Sequence, residues 1–300
     1  MVGLLIGFLV GAVLGSFIKA IADRSLHDRS FFGRSNCLYC HKKINWYDLI
    51  PIFSYILLKG KCRNCQKPFG KEYLIIELFS GLVFGLLFWK TFLIFPGLDN
   101  NFKFLLFIFD LFVASFFVTV LLILALTDIK KMLIPDRIIL PSIVILLGLL
   151  IVNSIYKVWL LYFTLSQNLI GKYLLPPHSD YFFRHSLAIL DPLKWSILIG
   201  LLIAGFFMLL IILTKGKGMG GGDVKLGGFI GLGLGFPLSL VALMGAFFSG
   251  AAYSIFLILL KRKKLGESVP FGPFLVLGSI VALLWGQEII NWYLQLSSQV

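Results

Sequence analysis

Gly218-Met219-Gly220-Gly221-Gly222-Asp223-Val224-Lys225-Leu226 is the stretch on which the reading of this chain turns. Four glycines lead into one carboxylate, and beyond Lys225 no further charge occurs up to Pro237. Glycine lets one backbone approach another closely. A carboxylate at the mouth of an apolar segment is costly unless it is paired, hydrated or put to use. Gly227, Gly231 and Gly235 then recur every four residues. That spacing places them on one helical face, a doubled small-xxx-small pattern suited to tight helix contact in a membrane. With Gly220 and Gly222 they predict a helix that begins at Asp223 and presses against a neighbour beside a reactive site.

The partner carboxylate is sought at the end of another apolar run. Residues 104–126 lead into Thr127-Asp128-Ile129-Lys130-Lys131-Met132-Leu133-Ile134-Pro135-Asp136. Two carboxylates at membrane-helix ends on the same side suggest an aspartic protease pair. Adjacent like charges cannot both ionise cheaply, so such a pair shares a proton. One carboxylate then activates water while the other protonates the departing group. Asp136 competes with Asp128 for this place. Pro135-Asp136-Arg137 ahead of Ile138-Ile139-Leu140 reads as a helix start, where Asp caps free backbone N–H groups.

The whole chain is 59% hydrophobic, with a mean hydropathy of +0.95, far outside the range of a soluble domain. Apolar runs lie near 2–21, 74–95, 104–126, 138–156, 196–214, 224–236, 238–260 and 272–293. The expectation is an all-α polytopic membrane protein of about eight transmembrane helices, with a small cytosolic zinc-binding domain. Residues 1–22 form the N-terminal anchor, 23–73 the zinc-knuckle domain and 74–300 the membrane bundle. The net charge of +13 invites a nucleic-acid reading, but its distribution explains it otherwise. With both termini outside, segments 23–73, 127–137, 215–223 and 261–271 face the cytosol. They hold 10, 3, 2 and 4 of the 27 Lys and Arg residues, and Lys19 and Lys225 lie directly beside them. This is the positive-inside pattern, so the expected partner is the lipid bilayer and no nucleic acid is required. The first run carries its charges after it, as an uncleaved anchor does and a secretory signal does not.

Residues 23–73 contain all four cysteines, as Cys37-Leu38-Tyr39-Cys40 and Cys62-Arg63-Asn64-Cys65 with 21 residues between. Cys37, Cys40, Cys62 and Cys65 suit tetrahedral Zn²⁺ with no open position for chemistry. Two disulfides are the alternative, which the reducing cytosol opposes. His41, next to Cys40, could stand in for one ligand, but the complete set of four cysteines argues against it. A segment of this size gains from a metal staple.

Other features carry two readings each. Asp110 lies about two turns into its apolar run and either reaches the outer interface or serves a function. The outer segment 157–195, with Pro176-Pro177, His178 and His185, reads as an interfacial excursion or a partner-facing loop. The run 224–236 spans only about 20 Å, so it is either a half-helix lining a water-filled cavity or one arm of a pair kinked at Pro237. Lys261-Arg262-Lys263-Lys264 reads as an anchor against anionic lipid. Pro270-Phe271-Gly272-Pro273-Phe274 reads as the start of the last helix.

Gly220-Gly221-Gly222-Asp223 fits the GxGD signature of membrane aspartic peptidases, and the chain resembles the bacterial type IV prepilin peptidases. The motifs that carry the resemblance are Gly15-Ser16-Phe17, the paired CxxC motifs, the 128–136 stretch, the 218–226 stretch and 270–274, in the family's order. Asp48, Ile50-Pro51, Ser54-Tyr55, Gly60 and Glu77 also stand where the family has them. The resemblance implies an aspartic endopeptidase of the bacterial inner membrane with Asp128 and Asp223 catalytic. It implies prepilin or pseudopilin substrates, cut at the cytosolic face after a glycine that precedes an apolar helix. It implies that the zinc is structural, because some relatives lack these cysteines. It further implies S-adenosylmethionine-dependent methylation of the new N-terminus, associated with the cytosolic segment, although no glycine-rich strand-loop-helix unit marks a methyl-donor site. The family usually has Asn at Lys19 and Pro at Leu74. Two other classes remain as alternatives: an ion-coupled transporter built on a broken glycine-rich helix, and a non-catalytic zinc-knuckle assembly factor of a secretion or pilus machine.

Overall fold

Small residues set how the first helices meet. Helix α1 (Val2–Leu26) buries Gly3, Gly7, Gly11 and Gly15 at four-residue steps, and these face α3 (Glu72–Ile94). A methyl group added at Gly11 would lie 2.6 Å from the Ser80 carbonyl oxygen, and one at Gly7 would lie 2.7 Å from Phe88 Cβ. Gly81 of α3 returns the contact against Phe8. Gly3 meets Phe92 while Gly15 meets Glu77, so the pair is antiparallel. Lipid tails give helices little hydrophobic reason to associate, so this close backbone fit supplies the contact.

The computed structural model describes residues 2–27, 30–31, 33–37, 39–40, 42–94, 101–216, 219–262, 264 and 269–298. His41, Gly218 and Lys263, singled out in the sequence, lie outside the described residues. Between α1 and α3 come a 3-10 turn (Trp46–Leu49) and the short α2 (Phe53–Leu57). Then follow α4 (Asn101–Lys131), α5 (Asp136–Gln167), α6 (Leu169–Lys172), α7 (Tyr181–Leu213), α8 (Gly221–Leu234), α9 (Leu238–Leu259) and α10 (Gly272–Ser297). Among the described residues there is no strand beyond isolated bridges, so the protein is all-helical. Among the described residues seven helices, α1, α3, α4, α5, α7, α9 and α10, are long and apolar enough to cross a membrane.

The chain divides into two compact units, Met1–Pro96 with Val118–Pro135, and Gly97–Phe117 with Asp136–Val300. Helix α3, expected as the first helix of the bundle, packs on α1 in the first unit.

In the second unit α8 lies antiparallel on α7. Gly227 meets Phe207 and Ile203, Gly231 meets Gly200, and Gly235 meets Ser196. Helix α8 has 14 residues, about 21 Å of rise against a hydrocarbon core of about 30 Å. The eighth expected crossing is therefore a short helix. It stops at Gly235, whose φ of 62° favours glycine. Helices α9 and α10 also meet through a small residue, since a methyl group on Gly278 would collide with the Ala242 carbonyl and the Ala246 nitrogen.

Segment 157–195 is largely helical. Helix α5 runs on to Gln167, and α7 begins at Tyr181. At 32 and 33 residues these helices are about 48–50 Å long, well beyond the hydrocarbon core. Stacked rings of Trp159 and Phe163, 5.4 Å apart, line α5, and Tyr162 meets Phe182 of α7 at 5.9 Å. Asp110 is tethered: Asn153 Nδ2 donates to its carboxylate at 2.7 Å, and Lys157 Nζ stands 3.5 Å away. This pairing joins α4 to α5.

Candidate active site and metal centre

The two CxxC motifs form two copies of one turn. The Cys37 N–H donates to the Lys42 carbonyl at 3.0 Å, and the Cys62 N–H donates to the Lys67 carbonyl at 2.9 Å. An antiparallel bridge closes each turn, Asn36 with Lys43 and Lys61 with Pro68. The turns bring Cys37, Cys40, Cys62 and Cys65 together, with all four sulfurs within 4.8 Å of one another. The Cys37 and Cys65 sulfurs are 3.8 Å apart, and none of the four cysteines is in a disulfide. A tetrahedral zinc with Zn–S of about 2.3 Å spaces its sulfurs about 3.8 Å apart, so this donor set fits the metal. Burial opposes ionisation of the Cys37 thiol. The Cys40 and Tyr39 backbone N–H groups and the neighbouring thiols outweigh burial and lower it to about 7. The Lys67 backbone N–H favours the Cys65 thiolate, but burial and the other three thiols push Cys65 up to about 11. Arg63, inside the second motif, reaches Asp48 at 2.7 Å. The Asp48 carboxylate holds its guanidinium above the usual value.

Beside the knuckles the first unit contains a cavity of about 750 Å³. A four-membered ion network lines it. Lys19 Nζ meets Asp23 at 2.9 Å and Glu72 at 3.1 Å, and Lys130 Nζ meets the same two carboxylates at 2.8 and 3.2 Å. Lys19 is almost fully buried and lies 4.9 Å from the Tyr73 ring centroid. The sequence marked Lys19 as a flanking positive charge and as a departure from the family pattern, not as a member of a network. The lone local signal for the network is the four-residue spacing of Lys19 and Asp23 on one helix.

Asp128 lies in the last turn of α4 and is buried, at 6% exposure. Thr127 beside it is fully buried and donates to the Leu124 carbonyl at 2.9 Å. The lysines that follow anchor this helix end, Lys130 to Asp23 and Lys131 to the Leu26 carbonyl at 2.7 Å.

Asp223 lies in the second unit, in the first turn of α8. Its carboxylate accepts from the Gly220 N–H at 3.3 Å, and its own N–H donates to the Gly220 carbonyl at 3.1 Å. Gly220 is exposed, and a methyl group there would meet only the Gly222 nitrogen at 4.0 Å. The glycines therefore divide by role. Gly220 is the helix cap, whereas Gly227, Gly231 and Gly235 face α7. Asp136, at the start of α5, is exposed and ion-paired with Lys225 of α8 at 2.5 Å. Its partner is thus a lysine two residues beyond Asp223, a contact the sequence did not disclose.

Comparisons with known proteins match both parts of the chain to described families. Residues 9–91 match the family described as Bacterial Peptidase A24 N-terminal domain, and residues 115–255 match the Type IV leader peptidase family. The prepilin leader peptidase/N-methyltransferase of Bacillus subtilis (strain 168) is 30% identical over 295 residues, 97% of each chain. That of Aeromonas salmonicida (strain A449) is 28% identical over 314 residues, 96% of this chain and 92% of the relative. That of Pseudomonas aeruginosa is 28% identical over 262 residues, 87% of this chain and 74% of the relative. No solved structure matches. With near-complete coverage at this identity and both parts of the chain matched, the chain belongs to the type IV leader peptidase family.

Proposed function

We propose that this protein is a membrane aspartic endopeptidase that removes the basic leader from type IV prepilin-like proteins, and that it also N-methylates the new N-terminus. The observation that carries this is the full-length similarity to prepilin leader peptidase/N-methyltransferases, on a chain whose α4 ends and whose α8 begins with a carboxylate. Asp128 and Asp223 are the proposed pair. They share one proton. The ionised carboxylate takes a proton from the attacking water, and the protonated one delivers its proton to the departing amine. The glycine face of α8 fixes where Asp223 stands. Transport and a purely structural role are less favoured, since neither accounts for this similarity.

Residues 1–22 serve as an anchor, 23–73 as the knuckle domain and 74–300 as the peptidase bundle. The protein lies in the bacterial inner membrane with both termini outside and the knuckles cytosolic, which supports cleavage at the cytosolic face. Zinc on the four cysteines holds the knuckles together without entering the chemistry. The cavity beside them, at about 750 Å³, is of the size that small-molecule sites occupy. Tyr55, Phe69 and Tyr73 on its wall offer aromatic faces to an adenine, and its carboxylates and Lys19 suit a ribose and an amino-acid end. S-adenosylmethionine would supply an electrophilic methyl group there.

Purified protein in detergent, incubated with a prepilin and the methyl donor, is expected to yield a shortened chain whose new N-terminus is about one CH₂ heavier by mass spectrometry. An uncut prepilin would rule out the peptidase. Protein purified without chelator is expected to carry about one zinc per chain, and the Cys37→Ser, Cys40→Ser double variant to carry none.

A further inference from the structure

Four carboxylates line the cavity of the first unit: Asp23, Asp48, Glu72 and Glu77. Three are neutralised, Asp23 and Glu72 by Lys19 and Lys130, and Asp48 by Arg63. Glu77 differs. It is 7% exposed and stands about 7.5 Å along α3 from Glu72, within an apolar helix. Among the described residues no Lys, Arg or His forms an ion pair with it. Its Oε2 accepts from the Ile52 N–H at 2.7 Å, and the Ser16 hydroxyl is a second donor to the carboxylate. A buried carboxylate without a cation is costly, so one that borders a cavity marks a place for a cation that no described residue supplies.

We propose that Glu77 receives the N-terminal ammonium of the peptide to be methylated and takes its proton, an inference that rests on the N-methylation reading above. A free α-amino group titrates near pH 7.7–8.0, so much of it arrives as R–NH₃⁺, which has no lone pair to react. One proton passes from the nitrogen to the Glu77 carboxylate and leaves R–NH₂. The nitrogen lone pair then forms the N–CH₃ bond while the donor's S–CH₃ bond breaks. Its electron pair stays on sulfur, giving R–NH₂⁺–CH₃ and a neutral thioether. Glu77 returns its proton to water. The depth of Glu77 favours the peptide amine over the donor's sulfonium as its cation. An amine at the head of an apolar helix is drawn by that helix to the membrane boundary, whereas a polar, water-soluble donor is not.

Glu77 also anchors a strained turn. Ile52 has φ of 62°, unusual for a β-branched residue, and its N–H is the one held by Glu77. Glu77→Gln separates the two roles, because the amide oxygen still accepts from Ile52 while the charge is lost. The experiment uses the full-length protein in detergent, without methyl donor, and two fluorescent apolar peptides that differ only in a free or acetylated N-terminus. Fluorescence anisotropy is expected to show the free amine bound about tenfold more tightly by the unmodified chain. Glu77→Gln should erase that preference, and with donor present should lower methyl incorporation on the order of 10²-fold. A Glu77→Gln chain that keeps both the preference and the methylation makes Glu77 a turn anchor only and overturns the proposal. An unmodified chain that transfers no methyl at all overturns the N-methylation reading itself, and the proposal with it.

Discussion

Asp128 and Asp223 stand at opposite kinds of helix end. Asp128 closes a 31-residue helix and is buried there, at the end whose dipole disfavours negative charge. Asp223 opens a 14-residue helix, half-buried, at the end whose dipole favours it, and it accepts a backbone N–H. Each dipole contribution is about 0.3–1 kcal/mol, modest but opposite in sign. Environments that push two carboxylates apart are how acid and base are told apart in a shared site. The two members of the proposed pair thus differ in burial and in the polarity of the helix end that carries them.

The harshest test removes either group. Asp128→Asn and Asp223→Asn are each expected to lower leader cleavage by about 10⁴-fold, measured as initial rate at equal amounts of membrane-inserted protein. Normal cleavage by Asp223→Asn would end the paired-carboxylate mechanism, and normal cleavage by Asp128→Asn would move the partner carboxylate elsewhere.

A second test leaves both carboxylates in place and shifts the helix under one of them. A methyl group on Gly231 would lie 2.7 Å from Gly200 Cα and 2.9 Å from Gly200 N, backbone atoms that cannot turn aside. Gly231→Ala should therefore lift α8 from α7, and a displacement of about 1 Å can cost on the order of 10²-fold in rate. Gly221→Ala, where an added methyl meets nothing within 4 Å, is expected to cleave near the unmodified rate. Equal rates for the two variants would mean that the α7 contact does not position Asp223.

Features that repeat along one helix were the legible ones. Hydropathy marked seven of the helices, because a crossing helix must hide its backbone polar groups in a long apolar run. The CxxC spacing marked the sulfur cluster, because two tight turns impose its geometry. The Gly227–Gly231–Gly235 repeat marked a packing face, and the identical repeat at Gly3, Gly7, Gly11 and Gly15 was readable by the same rule. Contacts between residues distant in sequence left no such trace. The Lys19–Glu72 and Lys130–Asp23 pairs span 53 and 107 residues, and neither partner is periodic. The cavity they line is likewise absent from any local pattern. The helical continuation of α5 to Gln167 was obscured by polar residues, which an extension beyond the hydrocarbon core tolerates.

The mildest test concerns Asp136, the carboxylate that rivals Asp128 in sequence. It sits at the start of α5 and pairs with Lys225, two residues past Asp223. The side chains are 59% and 35% exposed, and exposed ion pairs contribute about 0–1 kcal/mol. If the pair only steadies the start of α8, its loss should cost no more than about fivefold in rate, the equivalent of 1 kcal/mol. Asp136→Asn and Lys225→Met should then fall by similar small factors. The two losses should not add, since either change removes the same contact. Raising the salt should slow the unmodified chain toward the variants, because exposed charges are screened. The swap of Asp136→Lys with Lys225→Asp should recover part of the rate by restoring the pair with its charges reversed. A catalytic Asp136 would behave differently. Asp136→Asn alone would fall by 10³-fold or more, Lys225→Met would not follow it, and the swap would recover nothing. Initial rates for the single, double and swapped variants at two salt concentrations decide between a clamp on the helix of Asp223 and a rival to Asp128.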